Sequence, residues 1–290
     1  MKIRFIINPI SGKAQHKGLE SRIEKHLDLK KFDFDYFYTE RAKHATELAQ
    51  QAVKDKIDVV VAVGGDGTMN ECAKGLLGSQ TALAVLPCGS GNGFAFHFGM
   101  ERNIDKAIKQ LNISDFKTID SCTANGLPFF NVSGVGFDAH IAHLFATTKV
   151  RGFSSYVKLV LRECANYPAQ DYTLEYDGKK EVYNAVIISW ANATQFGNGA
   201  QISPESKVDD GLTEICVLKD FRRYLVPVLL YRLFTGKIHQ SKYMTIIKTK
   251  SITISCQNGQ SHLDGEGHDL GKKIHIDTHP KTLKVFIPYG

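Results

Sequence analysis

The feature that most constrains this chain is a glycine-rich loop that directly follows an apolar run at residues 57–63. The run is rich in valine and apolar on both faces, which predicts a strand covered on both sides, as in a parallel sheet. Gly64, Gly65 and Gly67 then surround a single carboxylate, Asp66. Glycines let the backbone turn sharply and approach a ligand closely, and three of them exceed what a plain strand-to-helix turn requires. The loop therefore indicates a phosphate site.

A helix is predicted to begin just after these glycines. Thr68 is its expected first residue, and Thr68 with Glu71 has the spacing of a capping box. The free amides of a first helical turn form a site for phosphate. Together, the loop and the helix predict nucleotide phosphate chemistry at this point of the chain.

Strands and helices alternate along the first 120 residues. The predicted strands are 2–8, 32–38, 59–63 and 82–86, and the predicted helices are 19–27, 42–53, 68–77 and a helical stretch ending near residue 111. Such alternation implies right-handed crossovers and a parallel sheet. Ligands of such sheets bind at the carboxyl ends of the strands.

From about residue 120 the pattern changes to short β-rich runs separated by turn signals such as Asp177-Gly178. This texture predicts an antiparallel β-sandwich, interrupted by helical segments at 156–165 and 222–234. The expected organisation is therefore an α/β domain over residues 1–120 and a β-sandwich domain over residues 121–281. A final strand at about 282–290 could pack back on the first domain.

Composition narrows the class of protein further. The formal net charge is +6, a mild excess that suits nucleotides, phosphates or an anionic membrane surface. A nucleic-acid partner is not expected, because the chain has no basic block and no recognisable DNA-binding motif. The six cysteines do not lie in close pairs, so we expect neither a zinc site nor a redox motif.

The chain shows no recognisable signal peptide or membrane-spanning segment, which predicts a cytoplasmic protein. The chain enters a strand-like run at its first residues, without the charged and apolar regions of a signal peptide. The longest apolar stretch, 224–234, is too short to span a bilayer and contains Arg232. Reduced thiols are the expectation for such a location.

The other predicted strands of the first domain also end in loops with useful chemistry. Residues 8–13 read Asn-Pro-Ile-Ser-Gly-Lys, which is not a Walker A loop because no glycine stands at the required earlier position. The second strand ends near Thr39. The fourth is followed by residues 87–94, Pro-Cys-Gly-Ser-Gly-Asn-Gly-Phe, which fail the dinucleotide fingerprint at Phe94. Two glycine-rich loops at one edge of a sheet are much stronger evidence for a nucleotide-binding site than one such loop.

These motifs resemble the diacylglycerol kinase catalytic family, which also includes sphingosine kinases, ceramide kinases and soluble bacterial lipid kinases. The residues that carry the resemblance are Asn8-Pro9-x-Ser11-Gly12, Thr39 with His44-Ala45, Gly64-Gly65-Asp66-Gly67-Thr68-x-Asn70-Glu71, Leu86-Pro87-x-Gly89-Ser90-Gly91-Asn92, Asn131-x-x-Gly134-x-Gly136-Phe137-Asp138, Asp209-Asp210-Gly211 and Asp264-Gly265-Glu266. They run in order along nearly the whole chain. The Gly-Gly-Asp-Gly-Thr core is shared with NAD kinases and phosphofructokinase relatives.

The resemblance implies an N-terminal α/β domain like that of NAD kinases and phosphofructokinases, a C-terminal antiparallel β-sandwich, and ATP bound between them. The residues expected to contact the nucleotide are Asn8, Pro9, Ser11, Gly12, Lys13, Thr39, Gly65, Asp66, Gly67, Thr68, Met69, Asn70, Glu71 and Ser90. Family members usually carry Thr at the position of Ser90, and Ser keeps the hydroxyl.

The resemblance also implies catalytic and metal-binding residues. In soluble bacterial relatives the glutamate of the Asp-Gly-Glu motif acts as general base, which here is Glu266, whereas in sphingosine kinases the role falls to the position of Asp66. A structural Mg²⁺ site is expected at the Asp210 side chain with the carbonyls of Lys207 and Leu212. Many bacterial members carry a second acid where this chain has Gly93, so the chain departs from the bacterial metal arrangement at this position.

The expected activity is transfer of the γ-phosphate of ATP to a hydroxyl of diacylglycerol or of a sphingoid-type lipid, with Mg²⁺ as cofactor. Two alternatives stay open: a phosphotransferase like NAD kinase with a soluble acceptor, and a non-catalytic nucleotide- or lipid-binding module. The expected partner is a lipid substrate at a membrane surface, reached by peripheral contact, and a homodimer is also open. Residues 222–234 fit either a core-packed helix or a basic amphipathic helix on an anionic leaflet.

Overall fold

The computed structural model describes residues 1–12, 18–147 and 153–288. Its strands are β1 Lys2–Ile7, β2 Asp33–Tyr38, β3 Val59–Gly64, β4 Ala82–Pro87, β5 Ser114–Ala124, β6 Leu127–Phe129, β7 Val132–Gly136, β8 Gln170–Tyr176, β9 Lys179–Ala191, β10 Thr213–Lys219, β11 Met244–Thr249, β12 Ser251–Ser255, β13 Gln260–Leu263, β14 Glu266–Asp269 and β15 Lys273–Pro288. Its α-helices are α1 Leu19–His26, α2 His44–Lys54, α3 Asp66–Leu76, α4 Gly93–His97, α5 Ile104–Leu111, α6 Phe137–Thr147, α7 Phe153–Cys164 and α8 Val226–Phe234. Single 3-10 turns lie at Arg223–Leu225 and Ile238–Gln240.

The chain forms two compact units. Unit 1 comprises Met1–Ile119 and Lys281–Gly290, and unit 2 comprises Asp120–Pro280. The strands β5 and β15 each continue from one unit into the other, so the last residues of β15 belong to unit 1.

Unit 1 is built on a parallel sheet in the order β15, β4, β3, β1, β2. All six residues of β3 and all six of β4 are buried, which agrees with strands covered on both faces. The helices α2 and α3 pack against each other, as do α1 and α5. The predicted parallel α/β class is confirmed, and the carboxyl ends of four neighbouring strands meet at one edge.

Two local predictions in unit 1 were wrong. Helix α3 begins at Asp66, with Gly65 as N-cap and no side-chain cap hydrogen bond, so Thr68 lies inside the first turn and makes no capping box with Glu71. The helical stretch predicted up to residue 111 is divided into α4 and α5. Asn103 caps α5 by accepting hydrogen bonds from the amides of the next turn.

Unit 2 is antiparallel, with β9 as its central strand. β9 pairs with β7, β8 and β10, and the sheet continues through β12 to β15 on one side and through β13 to β14 on the other. Ile188 and Trp190 enter a core shared with β12 and β15, while Ile187 and Ala191 enter a second core under α6 and α8. The alternating strand thus serves two apolar layers, as the predicted sandwich class requires.

Several elements of unit 2 were absent from the sequence prediction, among them β5 and α6. The predicted final strand at about 282–290 is the end of a longer strand, β15, which begins at Lys273. Among the described residues, no helix is long and apolar enough to cross a bilayer.

Candidate active site

Loops at the carboxyl ends of β1 and β3 are tied together by Asn8. Its amide N–H donates to the carbonyl of Val63 at 3.0 Å, and its side-chain Nδ2 donates to Thr68 Oγ1 at 3.1 Å. The side-chain oxygen of Asn8 accepts from the amide of Ile10 at 3.2 Å. One residue therefore shapes its own loop and fastens it to the first turn of α3.

Glycines allow the loops after β1, β3 and β4 to touch backbone to backbone. A Cβ on Gly89 would lie 2.4 Å from Gly65 Cα, and a Cβ on Gly12 would lie 1.8 Å from the carbonyl oxygen of Cys88. Real Cβ atoms do not come so close to backbone, so these positions require glycine. A Cβ on Gly65 would also lie 3.7 Å from Ser11 Oγ, which places Ser11 at the same junction.

Asp66 joins the third loop to the fourth. It is the first residue of α3, where a carboxylate interacts favourably with the helix dipole. Its Oδ2 accepts a hydrogen bond from the amide of Asn92 at 2.7 Å. Asn92 has a left-handed backbone with φ 54°, and its side chain both donates to and accepts from Gly89. Asn92 was missed as a site residue, although an Asn between two glycines is a signal for a left-handed turn.

The other predicted nucleotide-binding residues of α3 are largely enclosed by unit 1. Thr68, Met69 and Asn70 are 6 %, 1 % and 3 % exposed. Thr68 accepts from Asn8, as described above. Their side chains are part of the scaffold of the loop, whereas the amides at the start of α3 have no acceptor within the helix.

Glu71 caps a different helix from the one that the sequence predicted. Its carboxylate accepts hydrogen bonds from the backbone amides of Lys43 at 2.9 Å and Ala45 at 3.2 Å. Its carbonyl accepts from Thr46 Oγ1 at 2.8 Å. Glu71 therefore caps the N-terminus of α2 rather than that of its own helix. Its predicted role as a nucleotide ligand competes with this bonding.

The remaining predicted residues of unit 1 lie at the same edge. Thr39 follows β2 and donates its amide to the carbonyl of Ile7 at 2.9 Å. Ser90 is exposed in the loop after β4, and Pro9 is exposed in the loop after β1. Lys13 lies outside the described residues.

The thiol in this edge is not a candidate nucleophile. Cys88 is the first residue after β4, at the start of the second glycine-rich loop, and is 2 % exposed. Burial raises the pKa of the Cys88 thiol to about 11, so the reactive thiolate is scarce at neutral pH.

In unit 2, the predicted Asp-Gly-Glu motif forms a two-residue hairpin turn between β13 and β14. Asp264 and Gly265 have φ values of 49° and 87°, as a type I′ turn requires. Asp264 is 8 % exposed, and its carboxylate accepts from the amides of Phe130 and Asn131, both at 2.9 Å. The amide of Asp264 donates to Ser133 Oγ at 3.0 Å. Asp264 is thus a structural anchor that fixes the turn.

A buried polar network holds the same turn from its other side. The amide of Gly265 donates to His262 Nδ1 at 3.2 Å, so the ring hydrogen lies on Nε2, which is 3.2 Å from Asp138 Oδ2. Ser189 donates to that same carboxylate oxygen at 2.7 Å. His262 was missed by sequence reasoning, since no local pattern marks it. Its role is visible only where β13, β9 and α6 meet.

Glu266 is the first residue of β14 and pairs with Leu263 across the hairpin. Its side chain is exposed, in contrast to the enclosed Asp264 two residues earlier. Next to it, Gly267 faces the ring of His143 on α6, which a Cβ would approach to 3.0 Å. The structure therefore places a solvated carboxylate on a braced turn, in unit 2, while Asp66 belongs to unit 1.

The predicted metal loop, residues 207–212, is tied to the first residue of unit 2. Asp120 is fully buried, donates its amide to the carbonyl of Val208 at 2.7 Å, and accepts from the amide of Gly211 at 2.7 Å. Asp210 is exposed and its Oδ1 accepts from the amide of Leu212 at 3.1 Å. Lys207 is exposed as well.

The oxygen donors that this loop offers are of the type that Mg²⁺ and Ca²⁺ bind, namely a carboxylate and backbone carbonyls. No group of three metal-ligating side chains occurs among the described residues. A site with one carboxylate and two backbone carbonyls would not form such a group. The metal-binding role of Lys207, Asp210 and Leu212 therefore stays a prediction.

Comparisons with known proteins identify similar domains in both halves of the chain. Residues 2–124 match the model of the diacylglycerol kinase catalytic domain, and residues 131–287 match that of the YegS C-terminal NAD kinase beta sandwich-like domain. The chain is 28 % identical to "Probable lipid kinase YegS-like" of Shewanella frigidimarina, covering 82 % of this chain and 79 % of that protein. It is 25 % identical to "Diacylglycerol kinase" of Bacillus subtilis, covering 91 % and 89 %.

Solved structures show the same fold. A crystal structure of a diacylglycerol kinase from Bacillus anthracis superimposes with a TM-score of 0.74 at 22 % identity, over 99 % of this chain and 96 % of that one. A second structure from the same organism reaches a TM-score of 0.81 at 25 % identity, over 99 % and 97 %. The chain therefore belongs to the family of diacylglycerol kinase-like lipid kinases, which join a diacylglycerol kinase catalytic domain to a YegS-type domain with the β-sandwich of NAD kinases.

Proposed function

We propose that this protein transfers the γ-phosphate of ATP to a hydroxyl of diacylglycerol or of a sphingoid-type lipid, with Mg²⁺ as cofactor. The observation that carries the proposal is the convergence of glycine loops around Asp66. The loops after β1, β3 and β4 approach so closely that side chains at Gly12 and Gly89 are excluded. Such a tight, amide-rich surface at the edge of a parallel sheet suits a polyphosphate.

The phosphate groups of ATP would lie against the first turn of α3. The amides of that turn lack helical acceptors, and the helix dipole adds positive potential there. The predicted contacts from Ser11, Thr39 and Ser90 lie at the same edge and would add hydroxyl donors. Phosphoryl transfer needs this kind of positioning and charge neutralisation more than covalent chemistry from the protein.

Asp66 would hold the Mg²⁺ that accompanies the nucleotide, directly or through its waters. The fit rests on its place in the phosphate loop, with Asn92 orienting the carboxylate through a 2.7 Å hydrogen bond. Bound Mg²⁺ would neutralise charge on the phosphates. The loop with Lys207, Asp210 and Leu212 would hold a second, structural Mg²⁺ in unit 2.

Glu266 would act as general base. A lipid hydroxyl is a poor nucleophile until a carboxylate within hydrogen-bond reach takes its proton. The alcohol oxygen then bonds to the γ-phosphorus, the bond to the ADP oxygen breaks, and Glu266 carries the proton away. Its exposure keeps the carboxylate accessible to a substrate hydroxyl, and the anchors at Asp264 and His262 limit the movement of the turn.

The test is transfer of label from γ-labelled ATP in the presence of Mg²⁺ and mixed micelles. The acceptor panel would contain diacylglycerol, monoacylglycerol, sphinganine, sphingosine, ceramide and phosphatidylglycerol, with NAD as a soluble control. Label in one lipid supports the proposal and identifies the acceptor. Label in NAD alone would support a second candidate function, a phosphotransferase like NAD kinase with a soluble acceptor. The match of unit 2 to an NAD kinase-like sandwich favours this candidate.

The assignment of the base has its own matched control. Glu266→Gln should abolish turnover and leave ATP binding intact, whereas Glu175→Gln, at a partly exposed glutamate of unit 2 that pairs with Lys180, should leave turnover unchanged. Asp66→Asn should weaken the Mg²⁺ dependence of the reaction. Retained turnover in Glu266→Gln would move the role of base to Asp66. ATP binding without transfer to any acceptor would support a non-catalytic module.

A further inference from the structure

Helix α8 carries apolar residues on both of its faces. Leu229 is buried, and Leu225, Val226 and Leu233 pack with it against the core beneath α6 and α7. This inner face confirms the core-packed interpretation of residues 222–234. It leaves the outer face of the same helix to be explained.

The outer face consists of large apolar and aromatic side chains rather than the charged residues of an ordinary surface helix. Tyr224 is 70 % exposed, Val228 49 %, Tyr231 65 % and Phe234 38 %. Val228, Tyr231 and Phe234 follow one another at intervals of three residues on one side of the helix, and Tyr224 lies in the 3-10 turn just before it. We refer to these four residues as the α8 face.

The chain around the α8 face is basic. Residues 221–250 contain no Asp or Glu, and their basic residues are Arg222, Arg223, Arg232, Lys237, Lys242, Lys248 and Lys250. Arg223 is engaged with Asp220 and with the carbonyls of Phe221 and Tyr167. The other basic residues close to α8, Arg222, Arg232 and Lys237, lie before, on and after the helix.

The helix is held in place before any partner binds. The amide of Gln201 donates to the carbonyl of Leu233 at 3.0 Å, and the amide of Lys237 closes the end of the helix on the carbonyl of Arg232 at 2.7 Å. Arg223 ties the preceding turn to Tyr167 at 2.7 Å. Binding through the α8 face would therefore cost little ordering entropy.

We propose that the α8 face docks on the headgroup region of an anionic phospholipid bilayer. Tyrosines favour this region because the ring is apolar and the hydroxyl is wet. The excess of basic residues around the face would be attracted to anionic lipid. A nine-residue helix that is anchored by its inner face can only lie flat on the surface. The need for such a surface rests on the proposed function, since a lipid acceptor resides in a membrane.

The test measures co-sedimentation of the full chain with vesicles, without any kinase assay. Vesicles of phosphatidylcholine alone are compared with vesicles that also contain phosphatidylglycerol. The Tyr224→Ser/Tyr231→Ser variant should bind the anionic vesicles at least about tenfold more weakly. Val182→Ser, at a 66 % exposed apolar residue of the same unit, should bind like the wild type. Arg222→Gln/Arg232→Gln should weaken binding and flatten its salt dependence.

Two results would overturn the docking surface: no binding of the wild type to anionic vesicles, or equal losses in the tyrosine variant and in Val182→Ser. Self-association that the tyrosine variant abolishes, with no vesicle binding, would instead assign the face to a second copy of the chain. Failure of the proposed function is separate, because vesicle binding would persist while no lipid in the acceptor panel is labelled.

Discussion

Removal of the Glu71 carboxylate tests whether this residue caps α2 or binds nucleotide. Glu71→Gln removes the charge and at least one of two hydrogen bonds, those from the amides of Lys43 and Ala45. A lost cap costs about 0.5–2 kcal/mol, and a hydrogen bond to a charged acceptor contributes about 1.5–3 kcal/mol. Because Glu71 is only partly buried, we expect a loss of about 2 kcal/mol in the free energy of unfolding.

The assays are thermal unfolding and amide hydrogen exchange. A loss of that size lowers Tm by about 4–8 °C in a protein of this length. Exchange should accelerate most at the amides of Lys43 and Ala45, which lose their acceptor. Glu47→Gln is the control on the same helix, because its carboxylate pairs with the exposed Arg41, and it should change Tm little. The KM for ATP should stay close to that of the wild type.

The reasoning would be refuted by an unchanged Tm together with a strongly raised KM for ATP in Glu71→Gln. That combination would mean that the carboxylate leaves the α2 amides to bind the nucleotide or its metal. Unaltered exchange at Lys43 and Ala45 would lead to the same conclusion, because those two amides report the cap directly.

Three further predictions concern other contacts. Asp264→Ala leaves two buried amides without an acceptor and should cost about 2–4 kcal/mol, measured by denaturant unfolding, with native stability contradicting its anchoring role. Gly89→Ala places a Cβ against Gly65, so it should destabilise unit 1 by about 1–3 kcal/mol and weaken ATP binding. In the control variant Gly99→Ala the new Cβ meets no atom within 4 Å, and ATP binding should be unchanged. A hydrogen bond from Arg4 lowers the pKa of Asp55 from 3.8. The stabilisation that Asp55→Asn removes should therefore be full at neutral pH and decline as the pH falls below 3.8. A difference in Tm between the wild type and Asp55→Asn that does not depend on pH would contradict this.

The sequence predicted the sheet of unit 1 well because its signals are local. The valine run of β3 and the glycines after it lie within a dozen residues, and a strand buried on both faces has a distinctive composition. The same holds for the Asp177-Gly178 turn between β8 and β9, since two successive left-handed residues favour Asp-Gly. The helical stretch before residue 111 was harder to divide, because α4 has five residues and leaves little periodic signal.

The site residues that were misjudged or missed depend on contacts between distant segments. Glu71 has the right spacing to cap its own helix, but its partners lie 26 and 28 residues earlier, on α2. His262 acquires its role from Asp138, which is 124 residues away. Hydrogen-bond partners at such separations are chosen by the packing of elements, which no local pattern records.

The sequence by itself determined the order of strands and glycine loops, the class of each half of the chain, and the carboxylates available for chemistry. These follow from backbone conformational preferences and from the periodicity of buried side chains, which act over a few residues. Only the tertiary structure decided that Asp264 anchors while Glu266 is exposed, that Glu71 caps a neighbouring helix, and that α8 presents tyrosines outward. Burial and hydrogen bonding depend on which surfaces meet, and that is settled when the helices and strands pack.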